Sequence, residues 1–272
     1  MTGRIARGLV FGLILAVVFV PIYWMASTSL KSNKEITQDA TLYPHAPSFD
    51  NFRKLFDEKQ FGSYLTNSLV VTGASVLVSL ILGSLGAYAI ARFRLVLRLE
   101  RHIGLGLLTM RIVPAIVILI PVYLLVLRLD LLDTWLGLIV VYTALNITFV
   151  VWMMESFFRE IPVDLEEAAL VDGDSRLGAL RRIVLPVAAP GLVATAIFAV
   201  IVTFNEFMFA LVLTATPNAM TMPRGTATLI GRIDVDTASM AAAGVLGALP
   251  IVIFALIVQR HLVRGLTLGA LK

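Results

Sequence analysis

Long apolar stretches separated by short polar segments dominate the chain. Because about twenty helical residues cross the roughly 30 Å of membrane hydrocarbon, a window of that length predicts six spans. The first span begins near Arg4 and Arg7, as a signal peptide would, but it is longer and ends in an interfacial Tyr23-Trp24 pair. The pattern predicts an all-α polytopic membrane protein with one transmembrane domain over residues 1–272. The approximate bounds of the spans are 8–27, 67–91, 103–127, 136–157, 187–213 and 239–259.

The distribution of Lys and Arg predicts the orientation of these spans. Thirteen of these residues fall on the side that holds both termini, whereas the short loops of the other side carry three and the long segment 31–66 carries five. Positive charge in short loops marks the cytoplasmic side. We therefore expect both termini, including the tail 260–272, in the cytoplasm, and segment 31–66 in the periplasm.

Segment 31–66 contains its own helix signal. The prolines of Tyr43-Pro44-His45-Ala46-Pro47 favour an extended stretch. Ser48 or Asp50 can cap a short helix behind it, and apolar residues recur there at helical spacing: Phe49, Phe52, Leu55 and Phe56. This helix either lies on the membrane surface or contacts a partner outside the cell.

A polar island over residues 162–186 interrupts the apolar pattern between the fourth and fifth spans. Pro162 suits a first helical turn, and the carboxylates of Asp164, Glu166 and Glu167 suit the positive end of a helix dipole. Gly173 is suited to a left-handed cap at the end of this helix. The island therefore begins with a short helix.

A second short helix is predicted directly behind Gly173. Asp174 or Ser175 can cap it, and Pro186 stops it or turns it into the fifth span. Leu177, Leu180 and Val184 lie on one side of this helix. Small alanines on the first helix would let another protein approach its backbone, so the pair is either a docking element or a cover for the cytoplasmic end of the bundle.

Composition removes several classes of function. The chain is 58% hydrophobic and 15% charged and contains no cysteine, which excludes a disulfide framework and a catalytic thiol. Three scattered histidines at 45, 102 and 261 do not suggest a metal centre, and no phosphate-binding glycine loop is present. We expect no catalytic residue, no cofactor and no metal on this chain.

The island resembles the EAA signature of membrane subunits of bacterial ABC importers. Glu167-Ala168-Ala169, then Gly173, then Ile183-Val184-Leu185-Pro186 fill every fixed position of that pattern. Other segments are similar to the second permease of maltose-type carbohydrate systems. They are Asp164-Leu165-Glu166, Asn67-Ser68, Asn205-Glu206-Phe207 with Phe209-Ala210-Leu211, and the tail Gly265-Leu266-Thr267-Leu268-Gly269-Ala270.

The resemblance implies a multi-subunit sugar importer in the inner membrane. Its other parts would be a second permease, two ATP-binding subunits that hold ATP and Mg and hydrolyse the nucleotide, and an extracytoplasmic sugar-binding protein. The residues that would couple to the ATP-binding subunits are Glu167, Ala168, Ala169, Asp172, Gly173, Leu177, Ile183, Leu185 and Pro186. Gly265, Thr267 and Gly269 would contact the same subunits from the tail.

Polar residues inside the spans are candidates for a pathway or gate, because unsatisfied polar groups are costly there. They are Tyr142, Asn146, Thr203, Asn205 and Glu206. The alternative role for Glu206 is a polar link to a neighbouring helix. A self-sufficient secondary transporter or channel is the alternative for the whole chain, although no internal repeat supports it.

Overall fold

The computed structural model describes residues 2–38, 41–93, 106, 109, 113–231 and 235–269, with the side chains of 2–6 and 258–269 left out. This described part is helical, and its one extended pairing is the bridge between Ile230 and Val235. We number the helices α1 (Thr2–Ser29), α2 (Asn33–Gln38), α3 (Asp50–Asp57), α4 (Phe61–Arg92), α5 (Ala115–Arg128), α6 (Trp135–Glu160), α7 (Asp164–Val171), α8 (Arg176–Val187), α9 (Ala189–Phe204), α10 (Met208–Leu213), α11 (Met222–Ala227) and α12 (Thr237–Gly269).

The expected all-α fold is confirmed. Within the described residues, four helices are long and apolar enough to cross a membrane, and α8 with α9 makes a fifth candidate if this bent pair is one span. The four are Arg7–Ser29, Phe61–Arg92, Trp135–Glu160 and Thr237–Ile257. The start of the predicted third span, 103–127, lies largely outside the described residues, and α5 covers its end. Six spans therefore stay a prediction.

The chain divides into two compact units, the first formed by Met1–Leu65 and Met222–Pro250. Asp236 ties the segments of this unit together. Its carboxylate accepts hydrogen bonds from Asn33 Nδ2 at 3.0 Å, Lys54 Nζ at 2.6 Å and the backbone N–H of Ser239 at 3.1 Å. Segment 31–66 contains the expected short helix, α3. Its N-cap is Phe49 rather than Ser48 or Asp50 and makes no side-chain cap bond, while Ser48 Oγ accepts a hydrogen bond from the N–H of Asp50 at 3.0 Å.

The pKa of Asp236 reflects this position. Burial raises it, but the hydrogen bonds from Lys54, Asn33 and Ser239 outweigh burial and bring the pKa well below the usual range of a carboxyl group. The Asp236 side chain is therefore ionised, and it also caps the start of α12 through the Ser239 N–H.

The second unit, Thr66–Thr221 and Ile251–Lys272, contains two apolar clusters around α6. One joins α4, α6 and α8, and the other joins α4, α5, α6 and α10. Small residues allow close approach: a Cβ on Gly83 would lie 2.6 Å from Val150 Cγ1, and one on Gly191 would lie 2.4 Å from the Phe157 ring. Bulkier residues at these two positions would force the helices apart.

The predicted fifth span, 187–213, contains two helices, α9 and α10. The 77° bend between α8 and α9 at Ala188 falls at its predicted start, and Asn205, Glu206 and Phe207 separate α9 from α10 inside it. Pro190 has no N–H to donate, so it fits the first turn of a new helix after the bend. At the second break the Glu206 carboxylate accepts hydrogen bonds from the N–H groups of Phe209 at 3.0 Å and Ala210 at 3.2 Å, which caps α10.

Two further boundaries bear on the prediction. Helix α8 ends at Val187, one residue after Pro186, and the bend into α9 follows at Ala188. The last helix passes the predicted end at 259 and reaches Gly269, so much of the predicted tail 260–272 is helical.

Candidate functional site

The two-helix loop between α6 and α9 consists of α7 and α8, as the island pattern predicts. Three carboxylates, Asp164, Glu166 and Glu167, occupy the first turn of α7. Gly173 has a φ of 89°, the left-handed conformation expected of it. The N–H of Gly173 donates to Leu170 O at 3.1 Å and that of Asp174 donates to Ala169 O at 2.9 Å, which is the Schellman arrangement.

The second helix of the loop is capped by Ser175. Its Oγ accepts a hydrogen bond from the N–H of Gly178 at 3.1 Å. Asp174 supports this turn, since its Oδ1 accepts from the N–H of Ser175 at 2.9 Å and its Oδ2 pairs with Arg182 Nη1 at 3.2 Å. Of the two caps considered from the sequence, the structure uses Ser175.

Most of the predicted coupling residues are accessible. Glu167, Ala168, Asp172, Gly173, Leu177 and Pro186 are exposed, Ile183 and Leu185 are half-buried, and Ala169 is buried at 8% exposure. Leu177 therefore does not join Leu180 and Val184 in the interior, where those two are almost fully buried. Val171, which the sequence reasoning missed, is 87% exposed at the tip of α7.

A buried ion pair fixes α7 to α4, and the sequence reasoning missed it. Arg92 Nε lies 2.6 Å from Glu166 Oε1, and each side chain is only 6% exposed. Tyr88 donates its hydroxyl hydrogen to Glu166 Oε2 at 2.7 Å, and Arg92 Nη2 donates to Ile161 O at 3.0 Å. Glu166 is thus held by two residues of α4, while the adjacent Glu167 is exposed.

The same end of α4 also contacts α8. The Arg176 guanidinium lies over the Phe93 ring at 5.2 Å from its centroid, and Phe93 meets the Tyr88 ring edge-on at 6.2 Å. The end of α4 and Phe93, the residue after it, therefore contact both helices of the loop.

The middle of α8 is a π-helix over Leu180–Val184, between α-helical turns at Arg176–Ala179 and Leu185–Val187. Its buried residues, Leu180 and Val184, pack in the same cluster as Met154 and Phe158 of α6. The wider π turn is followed by the α-helical turn Leu185–Val187 and then by the 77° bend into α9.

The candidate pathway residues form two hydrogen-bonded pairs. Tyr142 donates its hydroxyl hydrogen to Glu206 Oε2 at 2.6 Å, and Asn146 Nδ2 donates to Thr203 Oγ1 at 2.7 Å. Both pairs join α6 to the α9–α10 region, so Glu206 makes the helix link considered for it from the sequence. Asn205 is exposed, and its Nδ2 donates to Ile201 O at 2.8 Å.

The loop after α10 is fixed by Asn67 and Asp133. Asn67 Nδ2 donates to Pro217 O at 2.8 Å and Met220 O at 2.9 Å, while Trp135 Nε1 donates to Asn67 Oδ1 at 2.9 Å. Burial raises the pKa of Asp133, but hydrogen bonds from the Thr216 hydroxyl and from the N–H groups of Ala215 and Thr216 outweigh it, so the pKa lies below its ordinary value.

The predicted tail contacts, Gly265, Thr267 and Gly269, lie on the helical backbone of α12, and their side chains are outside the described residues. In the part of the chain that the structure describes, no group of three or more His, Asp or Glu side chains could hold a metal ion. The expectations of no metal and no cofactor stay predictions.

Several apolar helices of membrane-spanning length define a polytopic membrane protein. The chain belongs to the family described as binding-protein-dependent transport system inner membrane component, whose model matches residues 79–268. The family resemblance seen in the sequence is confirmed. This family comprises transport components rather than enzymes.

Relatives match the whole length of the chain. It is 37% identical over 262 residues to the trehalose transport system permease protein SugB of Mycobacterium tuberculosis, covering 96% of this chain and 94% of the relative. It is 34% identical over 272 residues to the sulfoquinovosyl glycerol transport system permease protein SmoH of Agrobacterium fabrum, covering 100% and 95%. These relatives are permeases of sugar transport systems.

A solved structure has the same fold. A chain in the crystal structure of a bacterial ABC transporter involved in the import of the acidic polysaccharide alginate superposes with a TM-score of 0.80 at 24% identity, covering 95% of this chain and 96% of that one.

Proposed function

We propose that the chain is one of two permease subunits of an ATP-driven importer and forms, with a second permease, the membrane path for a carbohydrate. One observation carries this proposal: full-length relatives at 34–37% identity are named as permeases for trehalose and for sulfoquinovosyl glycerol. An extracytoplasmic binding protein delivers the cargo, and two ATP-binding subunits hold and hydrolyse MgATP.

The two-helix loop is the contact with an ATP-binding subunit. Its exposed surface combines a carboxylate at Glu167, the small Ala168 and Gly173, and apolar side chains at Val171 and Leu177 that are 87% and 66% exposed. Apolar side chains this exposed suit burial against a partner, and the carboxylate fixes orientation more than it adds affinity.

The topology follows from the positive charge of the short loops. The chain crosses the bacterial inner membrane six times, with both termini and the two-helix loop in the cytoplasm and segment 31–66 in the periplasm. The fifth span is then α9 continued by α10, and α8 belongs to the cytoplasmic loop.

The polar pairs Tyr142–Glu206 and Asn146–Thr203 belong to the pathway or its gate in this proposal. Both are buried or half-buried polar pairs that join α6 to the α9–α10 region, and a carbohydrate has hydroxyl groups that can exchange hydrogen bonds with them. The cargo itself is identified by a thermal-shift screen of disaccharides, oligosaccharides, polyols and glycerol phosphate esters on the cognate binding protein, because a bound ligand raises its apparent stability.

Purification from native membranes in mild detergent tests the proposal. We expect an ATP-binding subunit and a second permease to elute with this chain. A chain that elutes alone and transports without an ATP-binding subunit would instead be a secondary transporter or channel.

A further inference from the structure

We propose that Arg92 and Tyr88 are positioning residues that join α4 to the two-helix loop through Glu166, so that a displacement of the loop is delivered to the second membrane-spanning helix. This inference rests on the proposed function, since it takes the loop as the contact with the ATP-binding subunit.

Two successive residues of α7, Glu166 and Glu167, face different surroundings. Neighbouring helical side chains point about 100° apart, and here Glu167 is exposed while Glu166 is buried at 5% exposure. The exposed carboxylate is free to meet another protein. The buried one is committed to α4, because both of its oxygens are occupied by Arg92 and Tyr88.

The contact is stiff for three reasons. Hydrogen bonds between charged groups are stronger than neutral ones, and the Arg92–Glu166 distance is 2.6 Å with both side chains withdrawn from water. Arg92 also donates to Ile161 O at the end of α6. The Tyr88 ring packs edge-on against Phe158 of α6 at 6.2 Å, so the anchor lies in a packed cluster rather than at a loose surface.

The direction of transmission follows from the lengths of the elements. α7 has 8 residues and α4 has 32. Since α4 is one continuous helix that begins at Phe61, a push on Glu166 would be carried along the span rather than absorbed in the loop. The covalent route through α8 offers less stiffness, because α8 contains a π turn and a 77° bend follows it.

Spin-label distances in the assembled complex test this inference. The chain contains no cysteine, so Asp164→Cys on α7 and Ile81→Cys on α4 are its only two labelled positions, and the partner subunits are used in cysteine-free form. Both positions are exposed. The distance is measured without nucleotide and after trapping with MgATP and vanadate. We expect one narrow distribution that is the same in both states, because loop and helix move together.

Three substitutions are made on this labelled background. Glu166→Gln removes the negative charge from the contact with Arg92, and we expect the distance distribution to broaden and to shift on trapping. We also expect transport per ATP hydrolysed to fall at least about fivefold, which is the lower end of typical coupling between two sites. Arg92→Gln combined with Glu166→Gln leaves no unpaired buried charge, so this variant assembles normally. It should still give the broadened distribution. Glu160→Gln, an exposed carboxylate at the end of α6, is the control and should match the parent.

The outcomes separate the inference from the proposed function. A parent distance that changes on trapping, or a Glu166→Gln distribution identical to the parent in both states, overturns the anchor. The anchor is also overturned if the variants assemble in smaller amounts but transport normally per assembled complex. In that case Glu166 would contribute only to folding. If the parent chain binds no ATP-binding subunit, the proposed function itself has failed.

Discussion

Replacing Gly173 by alanine isolates the conformational requirement of the loop turn. Gly173 has a φ of 89°, and a Cβ added there would meet no atom within 4 Å. Steric clash is therefore absent, and the expected cost is that of holding an L-residue in the left-handed region, about 1–2 kcal/mol. A difference of this size changes the population of the opened turn roughly five- to thirtyfold.

Hydrogen exchange of the purified protein measures that population. The N–H groups of Gly173 and Asp174 donate to Leu170 O and Ala169 O, so their exchange reports opening of the turn. In Gly173→Ala we expect these two amides to exchange roughly five- to thirtyfold faster, in line with the same free-energy difference, while the middle of α6 stays unchanged.

Gly173→Asn is the matched control, because asparagine adopts the left-handed region more readily than alanine. It should exchange close to the parent rate. Equal rates in the parent and Gly173→Ala, or equally fast rates in the alanine and asparagine variants, would refute the conformational explanation.

Three other predictions concern separate parts of the chain. Glu167→Lys should give an assembled complex with poor uptake, measured in vesicles, and unchanged uptake would remove Glu167 from the coupling surface. Gly83→Ala places a Cβ 2.6 Å from a side-chain carbon of α6, whereas Gly86→Ala makes an ordinary 3.5 Å contact. We expect Gly83→Ala to lower the free energy of unfolding by about 1–3 kcal/mol and Gly86→Ala to change it little. Equal melting temperatures of the two variants would contradict this. Because the pKa of Asp236 is lowered on folding, its contribution is complete above the unfolded value of about 3.9 and lost as the pH falls through the lower folded value. Below about pH 4 the melting temperature of the parent should therefore fall more steeply than that of Asp236→Asn, and parallel curves would argue against this ion pair.

Local features of the loop could be predicted because they depend on adjacent residues. A glycine behind an amphipathic turn and a serine in front of the next helix define caps by their own chemistry. The structure places Gly173 in the left-handed region and makes Ser175 the cap of α8, as expected.

The anchor at Glu166 could not be found in the same way. Glu166 and Glu167 are chemically identical neighbours, and which one turns inward depends on where α4 lies. Arg92 is 74 residues away in the sequence. Only the tertiary arrangement brings its guanidinium to one of the two carboxylates.

The break in the predicted fifth span was missed for a different reason. A window of about twenty residues averages over Asn205 and Glu206, so two polar residues in an apolar stretch leave the average high. At the break, Glu206 caps α10 and accepts a hydrogen bond from the Tyr142 hydroxyl. Neither contact can be read from the hydropathy average of the sequence.

The most direct test of the account is the energy source for transport. The chain is reconstituted into proteoliposomes with its second permease and ATP-binding subunits, and uptake of the sugar found in the binding-protein screen is measured with ion gradients collapsed. The account predicts uptake only when both MgATP and the loaded binding protein are present. Uptake by the chain without ATP-binding subunits, driven by an ion gradient alone, would contradict it.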